Sequence, residues 1–142
     1  MDEVAGATLI LAFVTFLLVV VSIIDTSRIL KDDRKGRQIK WVEHRIAELY
    51  YPLNHNMGDS ITLYAFMPSI ENKLYLAEPD LRKALEEFRN SNISIRTIGG
   101  MLTGEILENE EHVRDLNRVI KNLVKSQLEG LQGQLDNLTG AK

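Results

Sequence analysis

The chain has 142 residues, no cysteine, and 17 basic against 20 acidic side chains. Without cysteine there are no disulfides, thiolate metal sites or cysteine nucleophiles. Two of the acidic residues, Asp2 and Glu3, precede the first apolar run; the remaining 18 stand against all 17 basic ones, a balance that makes no electrostatic case for nucleic acid binding.

Residues 4–24 are uninterrupted by any charge. As a helix rising about 1.5 Å per residue they span roughly 31 Å, the depth of a bilayer's hydrocarbon core. A helix is the one single-segment structure that satisfies its own backbone in lipid, so the run predicts a transmembrane helix whose partner is the bilayer. An acidic start (Met1-Asp2-Glu3), a 21-residue apolar stretch and the sequence Ser22-Ile23-Ile24-Asp25 do not fit a cleaved signal peptide. The run reads as a retained anchor. No Lys or Arg precedes it, whereas Arg28, Lys31, Arg34, Lys35, Arg37 and Lys40 follow within 16 residues. The positive-inside bias therefore exports residues 1–3 and keeps the carboxyl-terminal domain in the cytoplasm at the cell membrane. The sequons at Asn92 and Asn137 read as chance occurrences in that orientation.

Within the anchor, Ala5, Thr8, Ala12, Thr15 and Ser22 recur at helical spacing and form a candidate contact face, because small residues let helix backbones approach closely. The basic juxtamembrane segment, residues 25–40, has few apolar residues and does not read as a helix lying flat on the interface.

From Ile39 a buried stripe is expected through Val42, Ile46, Leu49 and Leu53, widened by Trp41, Tyr50 and Tyr51. Pro52 should kink or break this helix near Tyr50 and Tyr51, and residues 54–60 read as a turn. The stretch Glu48-Leu49-Tyr50-Tyr51-Pro52-Leu53 resembles one found in prokaryotic, including archaeal, proteins with one amino-terminal membrane helix and a helical cytoplasmic domain. The resemblance implies that layout and no activity, cofactor or catalytic residue. The aromatics of this stretch are expected to pack the first helix onto later arms.

A second arm, residues 60–90, carries Ile70, Leu74, Ala77, Leu81, Leu85 and Phe88 at helical spacing, with Pro68 and Pro79 each suited to a helix's first turn. Residues 90–104 read as a loop: Ile93 and Ile95 alternate briefly, but no second strand is evident. The last arm should run from about Thr103, as its cap, to Leu138. Leu116, Ile120, Leu123, Leu128, Leu131 and Leu135 form a candidate interaction seam on this coiled-coil-like helix, whose end Gly130 and Gly133 weaken. The fold class is all-α: a transmembrane helix followed, in residues 41–142, by a small helical bundle or hairpin with a long carboxyl-terminal helix.

Catalytic signatures are missing. His44, His55 and His112 lack a Glu three residues earlier, as a carboxylate-bridged metal bundle needs; the His44–Glu48 and Glu108–His112 spacings suit surface pairs. The acids Glu105, Glu108, Glu110, Glu111 and Asp115 suit a helix start. Residues 98–105 resemble a phosphate loop superficially, but Glu105-Ile106 replaces its Lys-Ser/Thr pair. No cofactor, metal or enzymatic activity is expected. The sequence predicts instead a membrane-anchored protein whose helical domain mediates self-association, or contact with an unidentified protein partner. The alternatives are a tethered ligand sensor or regulator, with ligand near Trp41 and Tyr64, and an envelope or phage-lysis spacer of opposite orientation.

Overall fold

A computed structural model describes residues 2–140, the side chains from residue 4 onward. The exported tail expected at residues 1–3 thus lies essentially outside the described residues. The chain divides into two compact units, Met1–Gln38 and Ile39–Lys142. Helix α1, Asp2–Arg45, supplies all that is described of the first and opens the second.

In the first unit, the apolar side chains of residues 4–24 lie exposed along the helix apart from a partly covered Val20, and one helix is long and apolar enough to cross a membrane. Thr8 and Thr15 donate their hydroxyls to the carbonyls of Val4 and Leu11, each at 2.8 Å. Farther on, Arg37 pairs with Asp33 one turn back, 3.0 Å away and well exposed.

In the second unit the helix that begins with the end of α1 does not stop at Pro52. It passes through a π-helical segment, Ile46–Tyr50, into α2, Tyr51–His55. Pro52 has no N–H to offer, and its ring crowds the carbonyl four residues back. The π segment lengthens the loop of the ladder, so that the Tyr51 N–H reaches Ile46 O, and Pro52 falls in a first turn where no donor is needed. Val42, Ile46, Leu49, Tyr50 and Leu53 are buried as the stripe predicts. Trp41 and Tyr51 are about half exposed and do not widen it.

The second arm comprises α3 (Ser60–Ile70), a 3-10 turn (Glu71–Leu76) and α4 (Pro79–Arg89). Asp59 caps α3 by accepting from the Thr62 N–H at 2.7 Å. Pro79 opens α4 as expected, but Pro68 stands in the last turn of α3, just before the chain tightens into the 3-10 turn. The expected stripe from Ile70 to Phe88 is buried throughout.

Residues 93–106 are not a loop. Strands β1 (Ile93–Ile98) and β2 (Met101–Ile106) pair antiparallel, with Ile93 opposite Ile106 and Ile98 opposite Met101. The connection is Gly99-Gly100, both at positive φ (59° and 80°), a turn whose twist matches that of the strands it joins. The hairpin rests on α3 through Gly104, where an added Cβ would stand 2.7 Å from Ile61 Cγ2 and 2.8 Å from the Ser94 carbonyl oxygen. Thr103 is consequently a strand residue and caps nothing. The last helix, α5, runs Glu110–Thr139, and it is preceded by Asn109 at φ 53°, a left-handed position that Asn tolerates better than most residues with a Cβ.

Gly104→Ala is expected to destabilise the second unit by about 1–3 kcal/mol, because Ile61 and the hairpin backbone cannot both give way freely. Gly133→Ala, whose Cβ meets open space, should stabilise α5 by about 0.5–1 kcal/mol. Denaturant midpoints of the two variants should move in opposite directions.

Candidate functional site

Of the two candidate surfaces read from the sequence, the structure leaves one open and places the other inside. Ala5, Thr8, Ala12, Thr15 and Ser22 are all exposed along α1. By contrast, Leu116, Ile120, Leu128 and Leu131 are buried in the chain's own core, and Leu123 and Leu135 pack half-buried against it. They share that core with Val42, Leu49, Leu53 and Leu63, and with Leu81, Leu85 and Phe88 of α4. The leucine repeat of α5 is therefore the seam by which the domain closes on itself. A charge placed there would unfold the domain before it could report on any partner.

Polar side chains secure this packing. Arg45 donates from Nε to Leu76 O at 2.7 Å and from Nη2 to Glu78 Oε1 at 2.6 Å, with its guanidinium over the Tyr50 ring. Tyr50, fully buried, donates its hydroxyl to Gln127 Oε1 at 2.9 Å and accepts from the Glu78 N–H at 3.2 Å. Arg82 donates to the carbonyls of Leu74, Tyr75 and Ala77. Two arginines thus donate to four successive carbonyls of the bend before α4, of which that of Leu74 also accepts from the Ala77 N–H at 3.1 Å.

The histidines make only surface contacts. His44 Nε2 lies 3.4 Å from the Tyr75 hydroxyl, while Glu48 pairs with Lys73 at 2.7 Å instead. His112 meets Glu87 at 3.0 Å, with both side chains half exposed or more. Glu110 pairs with Arg114, and Asp115 with Arg118 at 3.4 Å. Exposed pairs of this kind contribute under about 1 kcal/mol each. Among the described residues no three His, Asp or Glu side chains gather as a metal site.

A site the sequence reading missed lies between the start of α3, the end of β2 and the first turns of α5. Gly58, Asp59, Ser60, Ile61, Ile106, Arg114 and Asn117 line a cleft of about 400 Å³ there. Besides Tyr50, Ser60 and Asn117 are the buried residues with polar side chains among those described, each 7 % exposed, and both line this cleft. Asn117 Oδ1 has no hydrogen-bond donor among the described residues. Leaving such an acceptor unmatched costs on the order of 1–3 kcal/mol, far more than the surface pairs contribute. Lys121 Nζ donates to Gly58 O at 2.8 Å at the same end of the domain. The hydrogen bonds from Thr62, with Lys121 nearby, hold the Asp59 carboxyl below its usual range. The one sequence signal for this place was a lone Asn at a position that the α5 stripe otherwise fills with apolar residues.

Trp41 and Tyr64 line no part of this cleft. Trp41 tilts against His44, and Tyr64 meets the Phe88 ring edge-on. Comparison with protein-family models, curated proteins and solved structures finds no match.

Because the folded Asp59 carboxyl is depressed, its stabilisation is complete above the unfolded Asp value of about 3.9 and fades as pH falls through the lower folded value. Asp59→Ala should cost about 1 kcal/mol at neutral pH, the typical worth of a helix cap. The difference between wild type and variant should close in acid, below the folded value. Thermal unfolding followed by circular dichroism across pH would read both.

Proposed function

We propose that this chain is a single-pass membrane protein, with residues 4–24 in the bilayer, residues 1–3 outside and the helical domain in the cytoplasm, where it serves protein–protein contact. Self-association runs through the anchor face of Ala5, Thr8, Ala12, Thr15 and Ser22. No catalytic chemistry is part of this reading. The observation that carries it is the exposure of an uncharged, 21-residue apolar stretch of α1, which water would penalise and lipid would not. The resemblance of residues 48–53 to membrane-anchored prokaryotic proteins supports the same layout. So does the use of the α5 leucines inside the domain, which leaves the anchor as the simpler place for copies to meet. A sensing role is the second reading, favoured by the polar cleft beside Asn117 rather than by Trp41 and Tyr64.

Since the chain has no cysteine, single cysteines can map the anchor directly. Disulfide dimers in native membranes are expected for Thr8→Cys and Ala12→Cys, and not for Ile10→Cys or Leu17→Cys on the opposite face. Equal yields at all four positions, or none, would remove the face from the proposal.

Orientation is separable from association. Lys142→Cys should resist a membrane-impermeant thiol reagent in intact cells and react after permeabilisation. Labelling of intact cells would reverse the topology and bring forward the external-spacer reading.

A further inference from the structure

We propose that the open edge of β2 pairs, antiparallel and about a two-fold axis, with β2 of a second copy of this chain, a contact between helical domains that is independent of the anchor face. A two-stranded sheet leaves one unpaired edge on each strand. β1 begins with the buried Ile93, whereas β2 is exposed from Met101 to Glu105, so the edge of β2 is the accessible one. Such an edge is a template for another strand unless Lys, Pro or a bulge blunts it. The stretch Met101-Leu102-Thr103-Gly104-Glu105-Ile106 carries none of these, and its register with β1 is unbroken.

Register decides what the edge accepts. The Leu107 N–H reaches Asn92 O at 2.8 Å, which marks these two as a hydrogen-bonded pair and sets the alternation along the hairpin. The N–H and C=O groups of Leu102, Gly104 and Ile106 therefore point away from β1, and no backbone group meets them among the described residues. A two-fold axis at Gly104 bonds all of them at once: Gly104 faces Gly104 of the second copy, and Leu102 faces Ile106. The same register sets Met101 opposite Leu107, side chains that are 71 % and 53 % exposed in a single copy. With Ile98 already beside Met101, an apolar row then crosses the joined sheet.

Charge favours the same occupant. Neither Arg96 nor Glu105 pairs with another charge among the described residues. Arg96 lies beside Thr103 in the hairpin, and the Gly104 register places Glu105 of the second copy on the far side of Thr103. These side chains share one face, with the Cα atoms of Arg96 and that Glu105 about 10 Å apart, within the joint reach of an arginine and a glutamate. Moving the axis to Glu105 would set two carboxylates directly opposite each other, and moving it to Thr103 would set Ile106 against the turn residue Gly100.

The test places Met101→Cys and Leu107→Cys on separately tagged copies of the full chain, co-expressed and oxidised in unfractionated lysate, so that the reading does not depend on where the chain resides. Facing Cα atoms would lie about 4.5 Å apart, inside the range of about 4.4–6.8 Å that a disulfide spans. Identical positions would lie about 20 Å apart, at about 3.4 Å per residue along the strand. A mixed disulfide is therefore expected, and neither variant alone should cross-link. Leu102→Pro removes an outward N–H and spares the ladder inside the hairpin, so it should cut the mixed product about tenfold while circular dichroism shows the domain still folded. Should that variant unfold, the exposed Arg96→Glu decides instead: it should lower the product, and adding Glu105→Arg should restore it. The proposal is overturned by absence of the mixed disulfide, by equal product from either cysteine variant alone, or by undiminished product in a folded Leu102→Pro or Arg96→Glu chain.

Discussion

The hydroxyl of Tyr50 is the point on which the helical domain turns. It sits fully buried on the π segment, donates to Gln127 of α5 and accepts from the backbone at Glu78, while Arg45 covers the ring and pairs with Glu78. Three stretches far apart in sequence therefore meet at one satisfied polar atom, inside a shell of leucines that would otherwise allow sliding. Apolar contacts fix how much surface is buried; directional bonds of this kind fix which arrangement buries it. The π segment makes the arrangement possible, because it carries the chain past Pro52 with Leu49, Tyr50 and Leu53 all buried.

The same logic extends to the hairpin through Gly104. The absence of a Cβ there lets Ile61 press onto the hairpin, and Ile61 is one wall of the cleft that holds Ser60 and Asn117. The shape of the cleft is thus set by a strand residue that lies outside it. Ile106, two residues farther along β2, brings the second apolar wall. A short, solvated hairpin of modest intrinsic stability is held because one face of it is needed by α3.

Most of the helical architecture was legible because it depends on periodicity. The stripes from Val42 to Leu53 and from Ile70 to Phe88 recur at helical spacing and are buried as that spacing requires. The hairpin escaped notice because β2 alternates weakly: Met101, Leu102, Thr103, Gly104 and Glu105 are all exposed, so burial left no imprint on their types. The two glycines between Ile98 and Met101 were the available signal, since a Gly-Gly pair separating two short β-prone runs favours a two-residue turn. Along α5 the periodicity was right, but a leucine repeat specifies burial without saying whether the surface it meets belongs to the same chain. The cleft was illegible for a related reason. An isolated Asn among apolar positions shows only that something polar is inside, and three distant segments must be folded together before its neighbours can be named.

One detail of the long apolar helix bears on how copies would recognise crowding. Thr8 and Thr15 donate to carbonyls of their own helix, so a solitary copy leaves neither hydroxyl in want of an acceptor. What the face offers a neighbour is a smooth shape, and contact through shape alone obeys mass action in two dimensions. If copies associate through this face as proposed, sparse ones would remain single and dense ones pair, with no ligand or modification needed to tip the balance. Under the proposed association, such a helix would act as a gauge of surface density.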